Sequence, residues 1–364
     1  MSPAAPMSLA RLGSLFGPKR IINTVGTWLG KYPRIWKLSH AGRDVGGDDL
    51  SNITVENLNA ALTGNPEALE VHLELVERDV VIDGHQVKIH CHCLTVDANG
   101  RVDPHRLAEF MRHAVTNYAI PRGRMADARA RDAKWNSGEA VAALHEEAKR
   151  SFTDLALTGE GGEMLLFLLA ERFLKLPQIL CKMDLKTDTR LHYHGADGVY
   201  AGITDDGILK LFWGESKVYK DVGDGIKECF ASIAPFLIEP DHEGAEREKD
   251  LILLSDKADL SDPVITTALR QYFNKDSKQS KRVRYCGIAL IGFDADYYPA
   301  DGVKGIAEEI GKAAKAELEN LKTRIGKRLT AEKLDQIEIE VLCIPLPSAD
   351  GFRKAFLKTM GLTE

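Results

Sequence analysis

The sequence predicts an α/β fold in which a mixed central sheet is flanked by helices and preceded by a smaller N-terminal α+β domain. Three patterns support this prediction. Two alternating stretches joined by Asp83 and Gly84 indicate an early β-hairpin, the apolar stretch at 161–175 indicates a buried helix, and strand and helix patterns alternate from there onwards. We therefore divide the chain into an irregular N-terminal segment (1–66), an N-terminal α+β domain (67–150) and a larger α/β domain (151–364).

The composition is that of an ordinary globular protein, and it excludes several classes. The chain has 364 residues, of which 44% are hydrophobic, and its 48 Lys and Arg against 54 Asp and Glu give a net charge of −6. This charge excludes a protein that binds nucleic acid through positive charge over its whole surface. No stretch approaches the roughly 20 apolar residues of a membrane-spanning helix, so we expect no membrane partner. Six scattered cysteines and the absence of a clear export signal predict a reducing cytoplasm.

Turn residues and periodicity define the elements of the N-terminal half. Residues 1–66 are rich in Gly, Ser, Asn and Pro, and their weak periodicity indicates irregular structure. From 69 to 96 polar and apolar residues alternate as they do in strands, and the Asp-Gly pair between them accepts the positive φ of a tight turn. A helix follows Pro104, since apolar residues then recur at helical spacing. The charged stretch 122–150 leads to the predicted domain boundary.

The C-terminal part alternates strands with helices. The helix at 161–175 is apolar on nearly every face, so we expect it to be buried against the sheet. Strands are predicted at 181–187, 197–203, 208–219, 284–293 and 336–345. Further helices are predicted at 222–237, at 302–328 and from 350 onwards. The charged, proline-containing stretch before residue 284 carries no clear periodicity.

The residues with chemical potential concentrate in two strands joined by the turn at 205–207. Folding this hairpin brings Asp197, at the start of the first strand, beside Glu215, near the end of the second. Because strand side chains alternate, Glu215 and Lys217 project from one face, whereas Ser216 points away and offers its backbone carbonyl. The sequence thus predicts two carboxylates and a lysine in one place.

Two carboxylates and a carbonyl are oxygen ligands, which a hard cation prefers over imidazole or thiolate. We therefore expect Asp197, Glu215 and the Ser216 carbonyl to bind Mg²⁺, with Mn²⁺ as the alternative ion. Such an ion activates water and neutralises the charge that builds on a phosphodiester under attack, while a nearby ammonium group orients the water or stabilises the phosphate. The alternative is a surface hairpin in which Glu215 and Lys217 form an ordinary ion pair.

At these positions the sequence resembles the PD-(D/E)XK nuclease superfamily, whose signature is an Asp on one strand and Glu-X-Lys on the next. Asp197, Glu215 and Lys217 match this signature, although Ala196 stands where the name of the superfamily has proline. The resemblance covers roughly 155–293. It implies the core fold of that superfamily and metal-dependent cleavage of DNA.

The resemblance also implies that a carboxylate from the first core helix completes the metal site. Glu163 matches that position, and its neighbour Glu160 is the substitute. The alternative is that both residues only stabilise the helix N-terminus through its dipole, a contribution of about 0.3–1 kcal/mol each. The sequence leaves both interpretations open.

A further resemblance rests on GADGVYAG, on WGESKVYKDVGDGIKECFASI and on GEGGEMLLFLLAE. These stretches, within about 155–240, resemble the HamA family of nuclease subunits from the Hachiman anti-phage defence system. The resemblance implies a DNase that a partner helicase, HamB, restrains and that is released when phage or damaged DNA is sensed. The chain has no GxxxxGK[ST] phosphate loop, so we expect the ATP-driven motor to be another chain.

Two other functions stay open. The first is a free-standing restriction or repair endonuclease with the same site and its own sequence recognition. The second is an inactive, nuclease-like subunit that binds a partner. An incomplete signature would indicate the inactive subunit, whereas all three signature residues are present.

Local clusters of positive charge are candidates for DNA contact, because cations bind phosphates and release their counterions. The first basic cluster runs into a predicted strand and comprises Lys275, Lys278, Lys281, Arg282 and Arg284. The second basic cluster ends a predicted helix and comprises Lys322, Arg324, Lys327 and Arg328. The alternative is that both are solvated surfaces, the second also favouring the helix C-terminal dipole.

Histidines and cysteines offer weaker candidates. His192 and His194 precede Asp197 and could reach a phosphate, yet histidines in loops are more often bystanders. The run His90–Cys93 suggests zinc, but neighbouring residues of a strand face opposite sides, and four adjacent residues cannot surround one tetrahedral ion. We therefore expect no zinc site there.

Overall fold

A mixed sheet of seven strands organises the part of the chain that the computed structural model describes, which is residues 53–152, 159–183, 195–238, 246–300 and 303–362. In chain order the strands are β1 (Leu73–Val81), β2 (Val87–Leu94), β3 (Gln178–Leu180), β4 (Gly198–Ile203), β5 (Leu209–Tyr219), β6 (Val283–Asp294) and β7 (Ile339–Leu346). Their order across the sheet is β1-β2-β7-β6-β5-β4-β3. The described residues all belong to one unit, Gly47–Glu364.

The central pairings of this sheet are parallel and the outer ones antiparallel. Strands β2, β7, β6 and β5 run in the same direction, whereas β1 is antiparallel to β2, and β4 is antiparallel to both β5 and β3. Parallel strands covered on both faces are buried along their length, and β6 is accordingly buried from Cys286 to Phe293. The mixed sheet with flanking helices confirms the predicted α/β class.

Eleven α-helices surround the sheet within the described ranges. They are α1 (Val55–Ala61), α2 (Glu67–Glu70), α3 (Pro104–Ala119), α4 (Arg122–Trp135), α5 (Glu139–Arg150), α6 (Glu160–Arg172), α7 (Val222–Leu237), α8 (Glu246–Lys257), α9 (Pro263–Gln271), α10 (Ala307–Ala331) and α11 (Ala349–Met360). The side chains of Asp103, Asp221 and Asp262 cap α3, α7 and α9, which fixes where these helices begin. None of the described helices combines the length and the apolar character needed to cross a lipid bilayer.

Helix α6 is the buried centre of one face of the sheet, as its apolar sequence predicts. Twelve of its thirteen residues are buried, so it packs on neighbours in every direction rather than along one stripe. Gly162 permits close approach to β5, because a methyl group added there would lie 3.1 Å from both Ser216 Oγ and Val218 Cγ2. Helix α7 covers the opposite face, where Gly225 lies against Tyr219. The hairpin β4–β5 is therefore enclosed from both sides.

A buried ion pair anchors the N-terminal helices to α6. Glu171, 1% exposed, pairs with Arg122 of α4 and accepts hydrogen bonds from the backbone N–H groups of Thr63 and Gln178, at 2.9 Å each. Removing one partner of such a pair leaves a buried charge uncompensated, which costs about 3–5 kcal/mol. Because Gln178 begins β3, the same carboxylate fixes the edge of the sheet beside β4.

Most predicted elements are confirmed, and the differences have physical causes. The early hairpin, the helix after Pro104 and the helix at 222–237 lie where the pattern predicts them. The charged stretch 122–150 forms α4 and α5, and the charged stretch before residue 284 contains α8 and α9. Long charged side chains can occupy half-buried positions, because their apolar stems pack on the protein while their charged ends stay in water. Such positions look polar in the sequence, so the apolar spacing of the helix is hidden.

Two predictions, one for the N-terminal segment and one for a strand, are wrong. Irregular structure was expected throughout 1–66, but residues 55–61 form α1, where Thr54 and Asn57 complete a reciprocal capping box. Residues 1–52 lie outside the described part of the chain. The strand expected at 181–187 lies instead at β3, while 184–187 fall outside the described residues.

The sheet continues across the domain boundary predicted at residue 150. Strand β2 pairs in parallel with β7 over Val87–Cys91. The hairpin of the predicted N-terminal α+β domain thus contributes two strands to the sheet of the larger domain.

Candidate active site

The β4–β5 hairpin brings the predicted site residues together. Its turn places Gly207 in the left-handed region, at φ +75°. From this turn the antiparallel register pairs Gly198 with Gly214. Asp197 precedes that pair and donates its backbone N–H to Gly214 O at 2.8 Å, so that it stands next to Glu215.

Specific donors hold both carboxylates. Lys217 forms an ion pair with Glu215, with 2.5 Å between Nζ and Oε1. Asp197 Oδ2 accepts hydrogen bonds from the backbone N–H and the hydroxyl of Ser216, at 2.8 and 2.7 Å. Glu215 and Ser216 are each 5% exposed. Water therefore screens these interactions weakly, and the effective dielectric constant at the site is low.

Burial opposes the charge of both carboxylates. It raises the pKa of Glu215 to about 7, and the Asp197 charge adds to this effect while Lys217 counteracts it. Burial likewise raises the pKa of Asp197, although Lys217 and the Ser216 hydrogen bonds oppose the shift. For Lys217 burial lowers the pKa, but the Glu215 and Asp197 carboxylates outweigh it, so the net shift is upward and the side chain stays an ammonium group.

Ser216 has a role that strand alternation alone does not reveal. Its side chain lies on the α6 side of β5, near Gly162, and so points away from Glu215 and Lys217 as predicted. It nevertheless reaches Asp197, because Asp197 lies just before β4 where that strand begins. Ser216 therefore orients a carboxylate of the site through both its backbone and its hydroxyl.

The donor atoms of the site suit a hard divalent cation. Within the described residues no hydrogen bond occupies Asp197 Oδ1 or Glu215 Oε2, so one oxygen of each carboxylate is available to an ion. Mg²⁺ usually takes one or two carboxylates together with water and substrate phosphate, and the hairpin provides two. The described ranges contain no group of three His, Cys, Asp or Glu side chains arranged to hold a metal ion. Metal binding by Asp197, Glu215, Glu163 and the Ser216 carbonyl stays a prediction.

Glu163, the predicted helix carboxylate, lies in the first turn of α6, where Tyr118 of α3 contacts it. Tyr118 donates its hydroxyl to Glu163 Oε2 at 3.0 Å. Burial raises the pKa of Tyr118, and the charges of Glu163 and Asp197 raise it further. Glu160, the alternative, is fully buried at the start of the same helix.

Lys182 is a second cation near the site, and no sequence motif includes it. It follows β3, is 8% exposed and donates to Asp250 Oδ2 of α8 at 3.3 Å, where Trp213 Nε1 donates as well. Against the raising effect of burial, Lys182 joins Lys217 in lowering the pKa values of Asp197 and Glu215. A lone lysine beside apolar residues carries no sequence signal. Only the sheet order, which puts β3 next to β4, reveals its position.

The model of the HamA family matches residues 70–360, which is more than half of the 364-residue chain. The chain belongs to the HamA family. Because this family is associated with Hachiman, membership implies a role in Hachiman anti-phage defence. The match confirms the resemblance drawn from about 155–240 and extends it to the hairpin β1–β2. A search of curated proteins gave no match.

In this HamA-family protein the first basic cluster lies at the opposite end of β5 from Lys217. Arg284 pairs with Lys210 in the parallel register of β5 and β6, whereas Lys217 pairs with Ile291. At about 3.3 Å per residue, the two positions are roughly 23 Å apart along the strand. DNA that contacts both would have to follow the length of the hairpin.

Carboxylates neutralise the two basic clusters to different extents. In the second cluster ion pairs join Lys322 to Glu319, Arg324 to Asp221 and Arg328 to Glu332. In the first cluster, among the described residues, an ion pair forms only at Lys275, whose Nζ lies 3.8 Å from Glu248 Oε1. Arg282 instead donates to the backbone oxygen of Gly207 at 3.3 Å and supports the hairpin turn. The first cluster of this HamA-family protein thus keeps more positive charge for a partner.

The histidines and cysteines of β2 lie on opposite faces of the sheet in this HamA-family protein. His90 and His92 both contact Phe173 edge-on, at 5.0 and 4.5 Å between ring centroids. Cys91 neighbours Cys343 of β7 on the other face. No zinc site was expected at His90–Cys93 because of this alternation between the two faces. His192 and His194 lie outside the described residues.

Proposed function

We propose that this HamA-family protein is a Mg²⁺-dependent deoxyribonuclease, acting in the bacterial cytoplasm as the effector of Hachiman defence. The observation that carries the proposal is the meeting of two carboxylates, the buried Glu215 and the half-buried Asp197, with the Lys217 ammonium group in one hairpin. A purely structural ion pair gains nothing from a second carboxylate that is partly removed from water, because like charges repel and each loses hydration. A site that a divalent cation completes accounts for this arrangement.

The residues of the site match the needs of phosphodiester hydrolysis. Water attacks the phosphorus, and the bridging oxygen leaves and takes up a proton. Mg²⁺ held by Asp197 and Glu215 would neutralise phosphate charge and lower the pKa of bound water. Lys217 stays protonated, so it acts as a hydrogen-bond donor to the water or to a phosphate oxygen rather than as a base. Ser216 orients Asp197 through two hydrogen bonds.

We further propose that the helicase HamB is the partner that restrains this activity. The family resemblance implies that partner, and the chain carries no phosphate-binding loop with which to hydrolyse ATP itself. A nuclease without sequence preference would destroy host DNA, so a defence role requires restraint by another component. DNA is then the substrate, and the first basic cluster is its proposed contact surface.

Cleavage of plasmid DNA by the purified chain with Mg²⁺ tests the nuclease proposal. We expect Lys217→Met and Glu215→Gln each to lower the cleavage rate by at least about 100-fold, because each removes a group that stabilises charge at the phosphodiester. Lys210→Met is the matched control. Lys210 lies on the same strand in a 2.7 Å ion pair with Glu338, but at the far end of β5.

Metal exchange completes the test. EDTA should stop the wild-type reaction, and Ca²⁺ should support DNA binding but little cleavage, because its longer, looser coordination positions water poorly. Cleavage by a site variant at the rate of Lys210→Met would contradict the site. A wild-type chain that binds HamB yet cleaves no DNA with Mg²⁺ or Mn²⁺ would favour the inactive subunit, and cleavage unaffected by HamB would favour a free-standing endonuclease.

A further inference from the structure

Two glycines make room for the side chain of Tyr200 in β4. Tyr200 is fully buried. A methyl group added at Gly198 would overlap the Tyr200 hydroxyl, and one added at Gly214 would lie 3.0 Å from Tyr200 Cε2. The ring therefore lies along the hairpin, and its hydroxyl stands over Gly198, the residue that follows Asp197.

The Tyr200 hydroxyl has no hydrogen-bond partner among the described residues. The hydroxyl lies over Gly198, directly after Asp197. Burial raises the pKa of Tyr200, and the charges of Glu171, Asp197 and Glu163 raise it further. The hydroxyl thus keeps its proton and is a donor among acceptors. Buried hydroxyl groups in native proteins almost always bind protein or ordered water, and a phenylalanine would fill the same space without an unsatisfied donor. The hydroxyl therefore needs an explanation other than packing.

Neighbouring donors show how carboxylates are held in this part of the molecule. Tyr118 donates to Glu163 Oε2 at 3.0 Å, and Ser216 donates twice to Asp197 Oδ2. One oxygen of each carboxylate is thus held by a hydrogen-bond donor of the protein. Tyr200 lies on the strand that begins just after Asp197, and its ring meets Gly214 beside Leu166, about one helical turn after Glu163.

We propose that Tyr200 is a positioning residue of the nuclease site and that its hydroxyl donates a hydrogen bond to a bound water joining the carboxylates of Asp197 and Glu163. This inference rests on the proposed function. The three groups give the water the two to four polar partners that buried water requires. The link keeps the Asp197 carboxylate in the orientation that binds Mg²⁺. Outer hydrogen bonds of this kind contribute about 10–100-fold to metal affinity or activity.

Tyr200→Phe removes only the hydroxyl and tests the proposal. We expect the Mg²⁺ concentration for half-maximal cleavage to rise about 10-fold and kcat to fall about 10-fold, with KM for DNA unchanged. Mg²⁺ binding measured by calorimetry should weaken by the same factor. The melting temperature of the metal-free variant should change little, because the variant loses one hydrogen bond to water and none to a described residue.

Tyr298→Phe is the matched control. Tyr298 is also buried, but it joins β2 to β7, where it accepts from Leu94 N and donates to Pro345 O at 3.0 Å each. We expect this variant to melt at a lower temperature while cleavage and Mg²⁺ affinity stay those of the wild type. The two variants should thus respond in opposite ways.

Wild-type cleavage and wild-type Mg²⁺ affinity in Tyr200→Phe would overturn the inference and leave the proposed function intact. If the wild-type chain cleaves no DNA, the proposed function fails, and the calorimetric comparison alone decides the inference. Weaker Mg²⁺ binding by Tyr200→Phe than by the wild type would then support it. Equal binding, or no binding by either protein, would overturn it.

Discussion

Glu215 carries its charge in a place where the folded protein opposes that charge. Its side chain is almost fully buried, and the Asp197 carboxylate repels it, while Lys217 supplies the nearest compensation. Residues that act on substrates are often held in surroundings that reduce stability, because activity needs the charge that folding disfavours. The metal-free protein therefore has stability to gain from the loss of this carboxylate.

We predict that Glu215→Gln raises the stability of the metal-free protein at pH 8 by about 1–2 kcal/mol, because it removes a buried like-charge contact and leaves Asp197 as the counter-ion of Lys217. Urea unfolding in EDTA measures the change. The same variant should lose the increase in melting temperature that Mg²⁺ gives the wild type. Glu338→Gln, which alters a half-exposed ion pair, is the control and should change stability by less than about 1 kcal/mol. A less stable Glu215→Gln protein would contradict the prediction.

The sequence reveals some residues of the candidate site and conceals others. Asp197, Glu215 and Lys217 are recognisable because their spacing fits a hairpin with fixed alternation. Tyr118 and Lys182 come from other parts of the chain, α3 and the segment after β3. Tyr200 lies within the hairpin itself, but its role depends on the packing around its ring. No spacing rule connects such residues, because their meeting is decided by how helices cross the sheet.

Close contact between α6 and the β4–β5 hairpin depends on small residues. Gly162 of α6 lies over Ser216 and Val218, and Gly214 of β5 lies beneath Leu166 of α6. Packing at this density leaves no space for an extra methyl group. The helix that carries Glu163 is thereby held against the strand that carries Glu215.

We predict that Gly214→Ala destabilises the protein by about 1–3 kcal/mol, because its methyl group would lie 2.9 Å from Leu166 Cδ2 and 3.0 Å from Tyr200 Cε2. Gly311→Ala is the matched control. It lies within α10 with no atom within 4 Å of the added methyl group, so it should stabilise the protein by about 0.5–1 kcal/mol. Urea unfolding of both variants measures the difference. Equal stability of the two would show that α6 packs less tightly on β5 than described.

Local sequence patterns predict individual helices and strands better than they predict how these elements pair. The Asp-Gly turn, the Asp103 cap and the apolar character of α6 each act over a few residues, and each element formed as predicted. Helix α8 escaped prediction because the charged residues Arg247 and Asp250 stand among its buried positions, and α9 because its nine residues are too few to show a clear period. The pairing of β2 with β7 was also missed, since a parallel pair between distant segments leaves no trace in either strand alone.

The first basic cluster and the candidate active site lie in different parts of the molecule. Arg282 of the first basic cluster contacts the β4–β5 turn and Arg284 pairs with Lys210, whereas the carboxylates lie at the other end of β5. The cleft just beyond that end of β5 is lined by Lys220 and Tyr219 and by five acidic residues, Asp221, Asp224, Glu228, Asp294 and Asp296. Acidic side chains repel DNA, so productive binding requires cations or a partner that overcomes this repulsion.

We predict that cells expressing this protein without HamB grow poorly and that co-expression of HamB restores growth, because the proposed partner restrains the nuclease. Growth curves of four strains measure this, with wild-type or Lys217→Met protein, each with and without HamB. The Lys217→Met strains should grow normally in both cases, which separates DNA cleavage from a burden of expression. Equal growth of all four strains, with equal cleavage by the free and HamB-bound protein, would contradict restraint.

The position of β2 in the sheet means that it is synthesised long before its parallel neighbour. Its parallel neighbour β7 begins at Ile339, about 245 residues after β2 ends at Leu94. At roughly 5–20 residues per second, a ribosome makes that length in about 12–50 s. Throughout this interval the early hairpin has one edge without its native neighbour, and such an edge invites pairing with other nascent chains. The order of strands thus leaves this edge open to such pairing until nearly the last helix of the chain is synthesised.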